Sequence, residues 1–192
     1  MTTQNTVKYG LSNVHVFPII NEDSESIEYG EPIRIPGAVT LEMEAQGETE
    51  KFYADNIAYF ITSTNAGYAG TLEIATIPEE FEVKIMDNQK DKNGAIVEKA
   101  DARPKTYAMA FEFDGDKHKV RHVFYKCSST RPGISGHTNE ETTTPQTDTL
   151  NIAAAPRLKD KVVRSKVKEG QEGYDTFYKA PYEIVAELPT EA

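Results

Sequence analysis

The residues whose types could do chemistry fall into a few groups, and their spacing argues against most of it. His118 and His122 are the only close pair among four histidines. In a strand, residues four apart share a face but lie about 13 Å apart, too far to grip one metal ion together. Asp91, Asn93 and Gly94 match the start of a calcium loop, but its first position would be Gln89 and its twelfth Ala100, where an acid and a bidentate glutamate are required. A solvated turn is expected there instead. Ser128, Ser129 and Ser135 lie near His137, yet no strand-to-helix elbow or Gly-x-Ser-x-Gly presents a nucleophile. Glu42 and Glu44 could pair for acid–base work, but alternating acids along one strand read more simply as a solvated face. The six bases Arg157, Lys159, Lys161, Arg164, Lys166 and Lys168 lack interleaved aromatics for stacking on nucleotides, so a charged strand surface facing an acidic neighbour is expected. No enzyme activity, cofactor or metal follows from these groups.

Composition narrows the class further. The 192 residues suit one domain, 1–192, with an N-terminal arm over 1–9 and a C-terminal tail over 179–192. A net charge of −10 is the wrong sign for holding nucleic acid by its phosphates. The polar stretch Met1 to Gly10 lacks the apolar segment of a secretory signal, and no apolar run approaches the roughly 18 residues of a membrane span. A soluble protein made in the cytoplasm is expected. Cys127 is the single cysteine, which excludes an internal disulfide and predicts a buried, inert thiol.

The elements are mostly strands. Leu11 to Ile20 is the first, with Pro18 marking a sheet edge or bulge because it cannot donate to a ladder. Asn21 to Pro36, acidic and punctuated by Gly30, Pro32 and Pro36, reads as a long loop with a short extended piece at Ile33 to Ile35. Val39 to Gln46 alternates apolar with polar, Lys51 to Asp55 follows a turn, and Ala58 to Thr64 and Thr71 to Ile77 continue the strands. Pro78 with Glu79 and Glu80 opens a helix that docks through Phe81 and Ile85 and ends near Asp87. Ala95 to Val97 is a further short strand. Thr106 to Cys127 is the clearest hairpin, turning at Asp114-Gly115-Asp116 and placing Tyr107, Met109, Phe111 and Phe113 on one face. Ser128 to Asp148 is a second long loop, the odd and even residues of Leu150 to Ala154 and Lys161 to Val167 alternate again, Tyr174 to Tyr178 suits a short helix, and Pro181 to Ala192 an extended tail. The aromatics Tyr53, Tyr59, Phe60 and Tyr68 are expected in core or interface packing, and the stretch from Phe52 to Phe81 as the scaffold of the domain.

The runs Gly10-Leu11-Ser12-Asn13-Val14-His15, Ile35-Pro36-Gly37-Ala38-Val39-Thr40-Leu41, Phe52-Tyr53-Ala54-Asp55-Asn56, Asn65-Ala66-Gly67-Tyr68, Gly70 to Phe81, Phe111 to Asp116 and Arg121 to Tyr125, in that order, resemble the major tail proteins, or tail tube proteins, of long non-contractile-tailed phages and prophages of Gram-positive bacteria. The resemblance spans roughly Gly10 to Tyr178, although the chain lacks the tryptophan that related chains often carry near the C-terminus. It implies a mostly β fold, a tail-tube sandwich or barrel of two packed antiparallel sheets with one flanking helix and long loops. It also implies self-assembly into hexameric rings that stack into a tube, with tape measure, tail terminator and distal tail proteins as further partners. Genomic DNA would pass through the lumen without specific binding, and the protein would reside in the virion tail after assembly in the host cytoplasm. Glu42, Glu44, Glu73 and Glu112, each on the polar side of a strand, are the candidate lumen acids. Asn21, Glu22, Asp23, Gly30, Pro32 and Pro36 in one loop, with Arg131, Ile134, His137, Glu140 and Glu141 in the other, are the candidate assembly residues. The alternative is a β-sandwich binding module of a baseplate or receptor-contacting complex.

Overall fold

The computed structural model describes residues 9–114, 119–138 and 145–185. Its core is a single antiparallel sheet that branches and folds into two layers. The strands in spatial order are β2 (Ile27–Tyr29), β1 (Leu11–Glu22), β10 (Tyr107–Phe113), β11 (Arg121–Ser129), β12 (Asp148–Ala154), β7 (Gly67–Ile74) and β4 (Ala38–Gln46), with β3 (Ile33–Arg34) on β1 and β13 (Arg164–Val167) on β11. β5 (Thr49–Ala54) pairs with β6 (Ile57–Ser63), and β8 (Gln89–Lys90) with β9 (Ile96–Val97). Branching explains the layers. The first half of β11 pairs with β13, from Arg121↔Val167 to Phe124↔Arg164, whereas its second half pairs with β12, from Cys127↔Ala154 to Ser129↔Ile152.

Apolar periodicity decides what goes inside. Val14, Val16, Met109, Phe111 and Phe124 from one layer meet Leu72, Ile74, Leu150 and Ile152 from the other in the main core. The opposite face of β1, β10 and β11 carries Phe17, Ala108, Ala110, Val123 and Tyr125, which are buried beneath Tyr174 and Phe177. β1, β10 and β11 are therefore apolar on both faces, as central strands must be. Tyr107↔Cys127, Cys127↔Ala154, Ala154↔Tyr68 and Tyr68↔Ala45 form one row across the strands and mark one end of the sandwich. Leu11↔Phe113 lies at the far end of one layer and Ala38↔Ile74 at the far end of the other, and Leu11 and Ala38 line one cleft where the two meet.

The central hairpin, the β12 strand and the helix stand where the sequence places them, although the turn residues 115–118 lie outside the described residues, and β7 begins at Gly67 instead of Thr71 and ends at Ile74 instead of Ile77. Helix α1 (Glu79–Lys84) follows Pro78, whose carbonyl accepts the Phe81 amide at 2.9 Å, and it buries Phe81 edge-on against Tyr107 with ring centroids 5.7 Å apart. Pro18 is neither on an edge strand nor at a bulge. β1 has partners on both sides, and Pro18 falls where its outer partner changes from β3, ending at Val16↔Ile33, to β2, starting at Ile19↔Tyr29. A missing N–H costs no ladder bond in that gap. The segment 21–36 departs in part from the expected long loop, because β1 runs on to Glu22 and β2 returns as a hairpin, while the extended piece expected at Ile33 to Ile35 is present as β3 with Ile33 and Ile35 buried.

Candidate assembly surface

The described residues offer little chemistry and one conspicuous surface. Cys127 is buried, and burial pushes its thiol up out of reactive range. Ser129 is buried in a hydrogen bond with the Tyr107 hydroxyl, while His137 is exposed. His122 is buried and stacks on Phe111 at 5.3 Å; its neighbour His118 lies outside the described residues. Asp91 Oδ1 accepts the amides of Asn93 and Ala95, both at 2.8 Å, which makes the calcium-like run a self-capped turn. Among the described residues no group of three or more His, Cys, Asp or Glu is placed to hold a metal ion, and no helix is long and apolar enough to cross a membrane.

The conspicuous surface is the β5–β6 hairpin. Beyond the Gln46↔Gly67 pair the two chains of the β4–β7 ladder run on, joined by Ala66 N–H to Gln46 O and Thr64 N–H to Glu48 O, both 2.9 Å, and then become β5 and β6. Gly47 permits this crossing, since a Cβ there would overlap the Thr64 carbonyl. The six residues of β5 carry the ribbon about 20 Å past the sandwich. Its tip, Asp55-Asn56, has φ of 51° and 63°, the left-handed pair that a tight two-residue hairpin turn requires. On this ribbon Phe52, Tyr53, Ile57, Tyr59, Phe60 and Ile61 are between 55% and 70% exposed. Tyr53, Tyr59 and Phe60 are thus no part of the core, and only Tyr68 of the four named aromatics packs there, edge-on to Phe124 at 5.2 Å. The stretch from Phe52 to Phe81 is scaffold only from β7 onward. A two-stranded hairpin alone is marginally stable in water, and this one leaves its large apolar side chains exposed on both faces.

The acids divide. Glu42 lies opposite Thr71, and Thr40, two residues before it on the same face of β4, lies opposite Glu73; Glu44 follows on that face. Glu42, Glu44 and Glu73 therefore share the outward side of β4 and β7, where Thr147 donates to Glu73 at 2.6 Å. Glu112 stands elsewhere. It is on β10, half-buried, bonded to Arg121 Nε at 2.9 Å and to Asn13 Nδ2. Arg121 in turn stacks on Tyr174 at 3.8 Å.

The candidate assembly residues divide as well. Glu22 is held by Lys126 at 2.6 Å and accepts the Leu158 amide at 2.9 Å, and the Gly30 amide donates to the Pro18 carbonyl at 2.7 Å. Asp23 caps its own turn by accepting the amides of Glu25 and Ser26, which lowers its carboxyl below the usual range. Asn21, Pro32 and Pro36 are exposed between these anchors. In the second loop Arg131 pairs with Glu98, Ile134 is fully exposed, and the His137 carbonyl accepts from Gln146 at 3.0 Å. Glu140 and Glu141 lie outside the described residues.

Sequence reasoning missed the C-terminal strap. Residues 174–178 are successive turns and not a helix, and the expected extended tail is docked as far as Glu183. Arg157, expected on a charged strand surface, is 1% exposed. Its guanidinium lies over the Tyr125 ring at 4.2 Å, binds Asp160 at 2.6 and 2.8 Å, and reaches Glu183 at 3.4 Å. Burial alone would lower its pKa, but the hydrogen bonds to Asp160 and Tyr29 and the charge of Glu183 outweigh that and raise it. The Tyr125 hydroxyl closes the strap onto the Tyr182 carbonyl at 2.7 Å. The one sequence signal was an arginine three residues before an aspartate.

No protein-family model matches the chain, and no curated protein matches it. Among solved structures, a chain of the cryo-EM structure of the anti-feeding prophage baseplate, six-fold symmetrised, is similar at 9% identity and a TM-score of 0.47, over 89% of this chain and 100% of that one. A likeness that faint carries no argument about function.

Proposed function

We propose that this chain is a structural subunit of a phage-type tail that associates with copies of itself into stacked hexameric rings, the tube through which a genome is ejected. The observation that carries this reading is the projecting β5–β6 hairpin, whose six large apolar side chains are left in water by the isolated chain. A sandwich with an open β4 edge and such an arm has surfaces for a second copy. In the tube, Glu42, Glu44 and Glu73 line the lumen, where carboxylates repel the DNA backbone and let it slide. Glu112 is left out, because its charge is already spent on Arg121. The exposed part of the 128–148 loop contributes to ring contacts, and tape measure, terminator and distal tail proteins complete the tail.

Negative-stain microscopy and sedimentation of the concentrated chain test this. Long uniform tubes are expected, and Tyr59→Ser with Phe60→Ser is expected to abolish them. Closed rings that never stack would favour a baseplate module, and a chain that stays monomeric at every concentration would defeat the self-assembly reading. Removal of residues 135–146 is expected to leave a folded monomer without tubes; normal tubes from that variant would take the loop out of the interface.

A further inference from the structure

At the end of the sandwich opposite the hairpin, a cleft of about 360 Å³ opens between the start of β1 and the start of β4. Ser12, Asn13, Arg34 and Asp114 supply its polar lining and Leu11 and Ala38 part of its apolar lining. A chain neighbour on each side of this cleft is apolar and exposed. Tyr9 is 67% exposed, and Val39 is 53% exposed because the ladder skips it between Ala38 and Thr40. The far end thus presents a polar centre with apolar flanks.

We propose that this cleft receives the tip of the β5–β6 hairpin from a second copy of the chain. The inference rests on the self-assembly reading and names the acceptor which that reading leaves open. The tip has the matching pattern, with polar Asp55 and Asn56 flanked by Tyr53, Ile57 and Tyr59. Asp55 meets exposed Arg34; Asp114, the other acid of the cleft, is occupied by the Ser12 hydroxyl at 2.6 Å. Tyr53, Ile57 and Tyr59 cover Tyr9 and Val39.

Geometry excludes the chain's own hairpin as the occupant. The eight residues of β7 place the two ends about 25 Å apart, and the ribbon continues the ladder for about 20 Å in the direction away from the cleft. Donor and acceptor are different surfaces at opposite ends of one chain, so the contact is head-to-tail and repeats without using itself up. Such a contact closes a ring or builds an open stack according to the rotation it carries; donor and acceptor stand at opposite ends of the β4–β7 ladder, and the proposed contact lies between successive layers, where it gives the stack a direction.

Charge reversal tests the seat. Arg34→Glu and Asp55→Arg are each expected to raise the concentration needed for stacking by about tenfold or more, and the two changes in one chain to restore it. Both residues are exposed, and an unchanged thermal melt will show that each variant folds. A photo-crosslinking amino acid at Tyr53 is expected to mark residues 9–13 or 34–39 of another copy. If the wild-type chain assembles and Arg34→Glu assembles as well as it does, or the crosslinks fall only elsewhere, the seat is wrong and the self-assembly reading stands. If the wild-type chain never associates, that reading fails and takes the seat with it.

Discussion

Two segments of this molecule are similarly rich in aromatics and meet opposite fates. The hairpin over 49–63 carries Phe52, Tyr53, Tyr59 and Phe60, and the strap over 174–182 carries Tyr174, Phe177, Tyr178 and Tyr182. The strap contributes no strand to the sheet, yet Phe177 is wholly buried on Phe17, Ala108, Val123 and their neighbours. The hairpin has a full ladder of its own and buries almost nothing. The difference lies in the receiving surface and in the clamps. Beneath the strap is a sheet face already apolar, and two arginines, Arg121 under Tyr174 and Arg157 under Glu183, tie it down. Beyond Gly47 the hairpin has left the sheet behind, so its apolar side chains find no receiving face among the described residues.

The comparison can be broken at the strap first. Phe177→Ala should lower stability by about 3–5 kcal/mol, as a fully buried aromatic does, and a thermal or denaturant melt will measure it. A loss below about 1 kcal/mol would mean that the strap is only draped on the sheet. Arg157→Met comes next, at about 1.5–3 kcal/mol. It removes charged hydrogen bonds, but Asp160 and Glu183 are partly exposed and water can take them back, which keeps the cost below that of stranding a buried charge. Hydrogen exchange concentrated in residues 174–183 of this variant would sharpen the role of Arg157 as the clamp.

Acid should act on the same clamp with a smaller effect. The hydrogen bonds from Arg157 hold the Asp160 carboxyl below its ordinary value of 3.8. A depressed folded-state pKa contributes stability that is complete above the unfolded value and is lost as pH falls through the folded one. Stability should therefore decline below about pH 4, and Asp160→Asn should flatten that decline. The smallest effect on stability belongs to the hairpin. Tyr59→Ser with Phe60→Ser should leave the melt within about 0.5 kcal/mol per substitution while removing assembly, because those side chains contact little in the isolated chain. A large loss of stability would show that the hairpin supports the fold after all.

The strands that read clearly in the sequence are those with a long alternating run between turn residues. β10, β11 and β12 satisfy that rule, and α1 was announced by Pro78 and its acids. β2 did not show, since three residues in an acidic, proline-punctuated stretch have no period to detect and pair only because β1 offers an edge, whereas β3 showed as the short extended piece at Ile33 to Ile35. Glu42, Glu44 and Glu73 could be grouped from alternation, but Glu112 obeys the same alternation and is paired with Arg121. Pattern reports that a side chain leaves the core face and does not report what lies opposite.

What the sequence determined alone was the class of the molecule: many strands, one helix start, a thiol with no partner cysteine and a charge that disfavours nucleic acid. These depend on local stereochemistry and composition, which are properties of short windows. Tertiary structure alone decided that one aromatic segment is core and the other a bare arm, that Arg157 is buried, and that the arm and the cleft it would fill stand at opposite ends. Each depends on which distant surface is left uncovered when the sheet branches and folds. No window of sequence contains that surface.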